Sequence, residues 1–415
     1  MRIFVPFGLC LLVVLALGCT DRQRRNPLDP QGIDTLGGLL SPLRALALDG
    51  RVELRWDYSQ FNDIEGCMVY RRSAISDWRQ IGELLDPATT AYFDDAVQNG
   101  ESYDYRLNLL VAGEGERGTE EVVRATPGAE LAWAADRSTG LVWKISADAG
   151  SAHFAQGRFL DLADIALNRR DGSCWVSDGQ FAGLYRIDAE GELQTFAAVV
   201  ERPAALEIDS EAGIGWLADL GRQRVFWFSL AANDSLELSV VDASFAEPVA
   251  LAAQSGGCWI GDRAQNRVLF YQIDGNRQVE FRTLEEPMAL AAGVDGEAWL
   301  LADEGRLLLR LDRSGAILEI DLPFATAVTI SVDGSTGACW VLGETNLAVF
   351  SVAGGLLQHW TDVPGGSGLF FDSMHGRAWV ATGNTLLKVT SEGQTMARLD
   401  GFSNISRIAV DPGGG

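Results

Sequence analysis

Five aspartates stand just after a tryptophan at matching places along the chain: Asp136, Asp178, Asp219, Asp262 and Asp303. A carboxylate at a fixed position admits two chemistries. Several converging on one point would hold a hard divalent cation such as Ca2+. Each acting alone would cap its own loop by accepting hydrogen bonds from nearby backbone N–H groups, as aspartate does in turns. A metal site needs different positions to converge, whereas these carboxylates repeat one position. Loop capping is therefore the expectation, no metal ligand or cofactor is assigned, and Ca2+ stays open as the one ion that would suit such groups.

Other reactive residue types are sparse. His153, His359 and His375 are the only histidines; no two have metal-ligand spacing, and H-E-x-x-H is absent. G-x-S-x-G is absent too, and no Ser/His/Asp set falls where the repeats would join it. Gly113 to Gly118 fits G-x-G-x-x-G, yet alternating strand-like segments flank it and no helix follows to offer a phosphate its N-terminus. It is expected as a hairpin turn. Without a catalytic constellation, the expectation is a protein that is not an enzyme. Past the N-terminal segment, the cysteines are Cys67, Cys174, Cys258 and Cys339, and the last three each directly precede a tryptophan. Equivalent places in separate repeats lie too far apart to pair, so they are expected as small buried hydrophobes.

The elements that position these residues follow from one period. A phrase of a small or polar residue, Trp, small or aliphatic residues and usually an acid recurs at Trp133, Trp175, Trp216, Trp259, Trp299, Trp340 and Trp379, in steps of 42, 41, 43, 40, 41 and 39 residues. The second copy divides into strand-like pieces at Asp164 to Leu167, Ser173 to Asp178, Leu184 to Asp188 and Leu193 to Ala198. Four short antiparallel strands at such a period describe one blade of a β-propeller. The first tryptophan phrase has no innermost strand before it, while Ser406 to Asp411 is an innermost strand followed only by Pro-Gly-Gly-Gly. The two fragments complete one blade, so the ring is predicted to close by pairing the C-terminal strand with Glu130 to Ala135, giving seven blades over residues 129–415.

Residues 38–127 alternate in period two between Asp-Gly and Asn-Gly turns, which predicts seven short strands, the last at Thr119 to Thr126, and a β-sandwich. The whole chain is thus all-β. At 415 residues and 47% hydrophobic it has room for both domains and their cores. Its formal charge of −24 disfavours a nucleic-acid partner, which needs the opposite sign. Residues 1–18 read as a signal peptide, with Arg2 before an apolar run from Ile3 to Leu17. Residues 19–37 read as a polar, proline-containing tether.

Three resemblances refine this outline. Leu15-Ala16-Leu17-Gly18-Cys19 resembles the lipobox of bacterial lipoproteins, with Ala16 where Leu is more usual, and implies lipidation of Cys19. The chain would then be a membrane-anchored cell-envelope lipoprotein, and Thr20 after the cysteine favours the outer membrane. Trp56, Tyr70 and Tyr103-Asp104-Tyr105-Arg106-Leu107-Asn108-Leu109 resemble a fibronectin type III domain, which implies a spacer or adhesion module with Tyr103 bonding back to nearby backbone. Pro203 to Asp209 with Trp216-Leu217-Ala218-Asp219 and Arg224-Val225 resembles the NHL repeat. That family includes protein-interaction platforms and, more rarely, lactonases and lyases.

The repeat period gathers Arg137, Gln180, Phe181, Arg222, Arg263, Asn266, Arg306 and Asn346 in loops on one face of the ring. The family resemblance implies that this face binds. The function expected is a lipid-anchored scaffold, acting as a monomer, whose loop face takes an envelope protein or a glycan. A divalent-metal lactonase or related hydrolase is the alternative, and a purely structural surface protein the second. An enzyme would need several carboxylates and amides converging near the ring axis.

Overall fold

The structure is a computed structural model that describes residues 43–413, apart from 59–62, 120, 151, 155–158, 181–182, 189–190, 197–199, 232–235, 274–276, 283 and 364. The predicted signal peptide, Cys19, the tether and Phe181 lie outside the described residues.

The N-terminal strands form a sandwich. One sheet joins Leu43–Leu48, Arg51–Trp56 and Ala91–Asp94; the other joins Arg79–Leu85, Ile64–Ser73, Tyr103–Val111 and Gly115–Gly118, with Val123–Ala125 also on Tyr103–Val111. Alternation turns Val52, Leu54, Trp56, Val69, Tyr105 and Leu107 into a shared core. Tyr103 behaves as predicted, its Oη accepting the Gln98 N–H at 3.1 Å while donating to Glu101. Two expectations change. The last predicted strand, Thr119 to Thr126, is only Val123–Ala125. The glycine motif is a turn only over its first residues, because left-handed Gly113 (φ 74) and Gly115 (φ 80) reverse the chain quickly enough for Gly115–Gly118 to pair with Asn108–Val111.

The rest is a seven-bladed β-propeller of four-stranded antiparallel blades. The innermost strands run Leu162–Asn168, Pro203–Asp209, Pro248–Gln254, Ala289–Ala292, Ala327–Val332 and Gly368–Asp372, and the strand Thr395–Asp411 completes the ring. Its first half is the outermost strand of blade seven, pairing Leu399 with Leu386. Its second half is the innermost strand of blade one, pairing Ile405 with Asp136 through Asp411 with Leu131, as the sequence predicts. A buried ionic clasp reinforces the junction: Glu130 accepts from Trp379 Nε1 and from Lys388 Nζ, which also donates to the Ala147 carbonyl at 2.8 Å.

One packing rule holds the blades together. Side chains alternate along a strand, so each repeat tryptophan faces the next blade and the residue before it faces the previous one. Trp133 therefore packs in one cluster with Cys174, Trp216 with Cys258, Trp259 with Ala298, Trp299 with Cys339, Trp340 with Ala378, and Trp379 with Ala132. At the remaining junction Gly215 leaves room for the Phe228 ring, which a Cβ would approach to 2.1 Å, and that ring tilts against Trp175. A large ring against a small neighbour fills each wedge between blades to interior density. The cysteines are free and buried, as expected, and burial pushes the Cys67 thiol up to about 11 and those of Cys258 and Cys339 well above their usual value.

Enlarging the small partner should therefore be costly. Ala378→Leu, set against Trp340, is expected to destabilise the propeller by about 1–3 kcal/mol through overpacking, and Trp340→Ala by about 3–5 kcal/mol through the cavity it leaves. Urea unfolding midpoints test both; unchanged midpoints would contradict the packing rule.

Candidate functional site

The strand-end aspartates lie on the face where the turns between second and third strands meet the loops between blades. Asp136, Asp178, Asp219 and Asp262 are fully buried. Asp219 accepts from Gly221 and Arg222 N–H in its own turn, at 2.9 and 3.2 Å, and from Glu201 and Arg202 N–H in the incoming loop, at 2.8 and 2.9 Å. Asp136 does the same with Ser138 and Thr139 on one side and Ser403 and Asn404 on the other. Asp262 holds Ala246 and Glu247 N–H, and Asp178 holds Asp161 N–H. Loop capping is thus right in kind and too narrow in scope, since each carboxylate ties down the loop that enters its blade. Asp303 departs from the set. It is left-handed (φ 51), part exposed, and clamped by Arg306.

The other predicted face residues share this surface but are not equally available. Arg137 reaches the next blade, donating to the Leu162 and Ala163 carbonyls at 3.0 and 2.7 Å. Arg263 pairs with Glu247, and Arg306 with Asp303 and Glu304. Asn266 Oδ1 accepts the Glu286 N–H at 3.0 Å, and Asn346 Oδ1 meets His359 Nε2 at 3.0 Å. Gln180 is exposed, and Arg222 is exposed with its Nε 3.9 Å from Asp219.

Sequence reasoning missed a second feature, a cavity of about 290 Å³ on the ring axis. Most of its wall is small or aliphatic, but four charged side chains line it: Asp164, Glu207, Arg169 and Arg407. Asp164 is buried and engaged, accepting Arg407 Nε at 2.9 Å from blade one and the Leu206 N–H at 3.0 Å from blade three. The Glu207 side chain is half-buried and has no hydrogen bond or ion pair among the described residues. Burial, and then the Asp164 carboxylate, push its carboxyl up to about 8, against the pull of Arg407 and Arg169. Arg169 lies exposed in the turn at the far end of the blade-two innermost strand, its guanidinium 5.6 Å from the Phe370 ring centre of blade seven.

A signal for Glu207 does exist in the sequence. The innermost residue paired with each repeat tryptophan is Ala409, Ala166, Glu207, Ala252, Ala291, Ser331 and Phe370 in blade order. A lone acid in that series stands out once the strands are aligned.

Of the histidines, His153 and His359 sit on outermost strands and His375 in a turn, and neither His359 nor His375 lines the cavity. Glu130, Asp372 and His375 bring potential ligand atoms within 4.8 Å of one another. Glu130 is already taken by the Lys388 ammonium, and His375 Nδ1 bonds Asp372 at 2.6 Å.

No family model matches the chain, and no curated protein matches it. Among solved structures it is similar to a functionally unknown protein from Desulfotomaculum acetoxidans, at TM-score 0.55 and 15% identity over 68% of this chain and 98% of that one. It is also similar to apo AztD from Citrobacter koseri, at 0.53 and 11% over 68% and 97%. A catalytically inactive histidine-to-alanine variant of virginiamycin B lyase from Staphylococcus aureus, crystallised with quinupristin, matches at 0.51 and 15% over 59% and 85%. These likenesses agree on architecture, and the chain is a β-propeller protein.

The raised Glu207 carboxyl has a consequence for stability. Between its usual value of 4.5 and about 8 the native state keeps a proton that the unfolded chain releases, so this residue lowers stability as pH rises through that window. Glu207→Gln is expected to flatten the fall. Urea midpoints at about pH 5 and about pH 9 test it: equal slopes in both proteins would contradict the burial of this charge.

Proposed function

We propose that the chain is a lipid-anchored protein of the bacterial cell envelope, in which a fibronectin type III-like sandwich carries an NHL-like propeller whose loop face binds another macromolecule, an envelope protein or a glycan. The observation that carries this reading is the build of the loop face. Buried aspartates fasten the incoming loops of blades one to four, and the turns of blades one and three as well, so this part of the surface is firm, while its exposed tips differ from blade to blade. Rigid loops of varied polar chemistry suit recognition, because little entropy is lost on binding. Lipidation at Cys19 rests on the lipobox-like sequence, and placement in the outer membrane on Thr20.

The donor chemistry speaks against the hydrolase reading. A divalent ion needs several free oxygens, but Asp164 is already bonded to Arg407 and to backbone, and a second guanidinium lines the same cavity. A lyase depending on an axial histidine finds none in the wall of this cavity.

The two halves of the proposal are tested in cells. Cys19→Ser is expected to abolish palmitate labelling and release the protein from membranes; retention on the membrane would contradict the anchor. A photo-crosslinking side chain at Gln180 or Arg222 is expected to give a discrete adduct absent when it is placed at Leu357 on the outer rim. Adducts from the rim alone would contradict the loop face as the binding surface.

A further inference from the structure

The axial cavity is lined by an acid and a base that do not meet. Glu207 presents a carboxylate from the middle of the blade-three innermost strand, and Arg169 a guanidinium from the end of the blade-two strand; neither has an ion-pair partner among the described residues, and both line the same space. The second acid–base pair, Asp164 with Arg407, is closed on itself. Arg169 is exposed and solvated, whereas the Glu207 carboxyl faces a largely small and aliphatic wall and stays protonated near neutral pH unless a cation answers it.

We propose that this cavity binds a small zwitterion of the amino-acid class, whose ammonium pairs with Glu207, whose carboxylate pairs with Arg169, and whose side chain packs on Phe370. The site is independent of the loop face and of the lipid anchor, so its failure would leave those readings untouched.

Three features single out this ligand chemistry. With Glu207 ionised, the four charged side chains sum to zero, so a net-neutral but polarised ligand complements the cavity better than a simple cation or anion. A cation alone would leave Arg169 unanswered, and an anion alone would leave Glu207 so. The volume, about 290 Å³, lies at the small end of ligand pockets and suits a single amino acid or a molecule of that size.

Binding also has a protonic signature. The charged groups around Glu207 are Asp164 and Arg169 from blade two and Arg407 from the closing strand; the Cys258 thiol of the neighbouring blade feels Glu207 and Asp209. An ammonium beside Glu207 lowers its raised proton affinity, so binding near neutral pH releases a proton into the buffer.

Calorimetry on the full-length chain in detergent tests the proposal with L-phenylalanine and two half-ligands, phenethylammonium and 3-phenylpropanoate. Phenylalanine is expected to bind at least about tenfold more tightly than either half, with heats that depend on the buffer's ionisation enthalpy. Glu207→Gln should remove the preference for phenylalanine over 3-phenylpropanoate, and Arg169→Met the preference over phenethylammonium, with circular dichroism melts confirming that both variants fold. No saturable heat with phenylalanine, equal affinity for all three probes, or displacement of phenylalanine by Ca2+ would each overturn it. Retention of the full preference in both folded variants would overturn it as well.

Discussion

The contact between each repeat tryptophan and the small residue of the following blade is the interaction on which the rest of this structure depends. Seven flat sheets cannot surround an axis unless the wedges between them are filled, and a wedge that widens outward needs a large ring on one side and little on the other. The alternation of a β-strand supplies both from adjacent residues. Cys258 turns back to receive Trp216, while its neighbour Trp259 turns forward to Ala298. That pairing explains why cysteine, alanine and glycine interchange before the tryptophan, and why no larger residue stands there.

Two surfaces follow from that frame. At the loop face, buried carboxylates hold the entry loops of blades one to four, and in blades one and three the turn as well, so the exposed tips there are presented on a firm base. Along the axis, the innermost strands come close enough that most positions carry small side chains. The departures, Asp164, Glu207, Arg407 and Phe370, cluster on the blades nearest the closure of the ring. Repetition builds the scaffold, and the breaks in repetition mark where it has particular chemistry.

Much of this was legible in the sequence because a period of roughly forty residues constrains everything within it. Blade number, strand order and the pairing of Ser406 to Asp411 with the first blade followed from counting alone. Turn chemistry was legible in kind, as Asp136 and Asp219 show, but not the second loop that each carboxylate also holds, since that contact spans residues far apart in the chain. The sandwich's last strand was misjudged because the glycine-rich turn is tighter than its length suggested. The axis was missed for a different reason. Inner strands such as Pro203 to Asp209 read as apolar runs, and one acid within them looks incidental until it is set beside the alanines of its sister blades.

The dependence of the propeller on complete closure can be measured most directly with a chain that stops at Ser403. It lacks the strand that pairs with Leu131 to Asp136, leaving both edges of the ring open and Trp379 without the side chains of Ile405, Ile408 and Val410 in its cluster. Tryptophan fluorescence in urea is expected to show loss of the cooperative propeller transition, while any transition of the sandwich, which carries Trp56 and Trp78, remains. A truncated chain that unfolds with the midpoint and cooperativity of the intact one would contradict it.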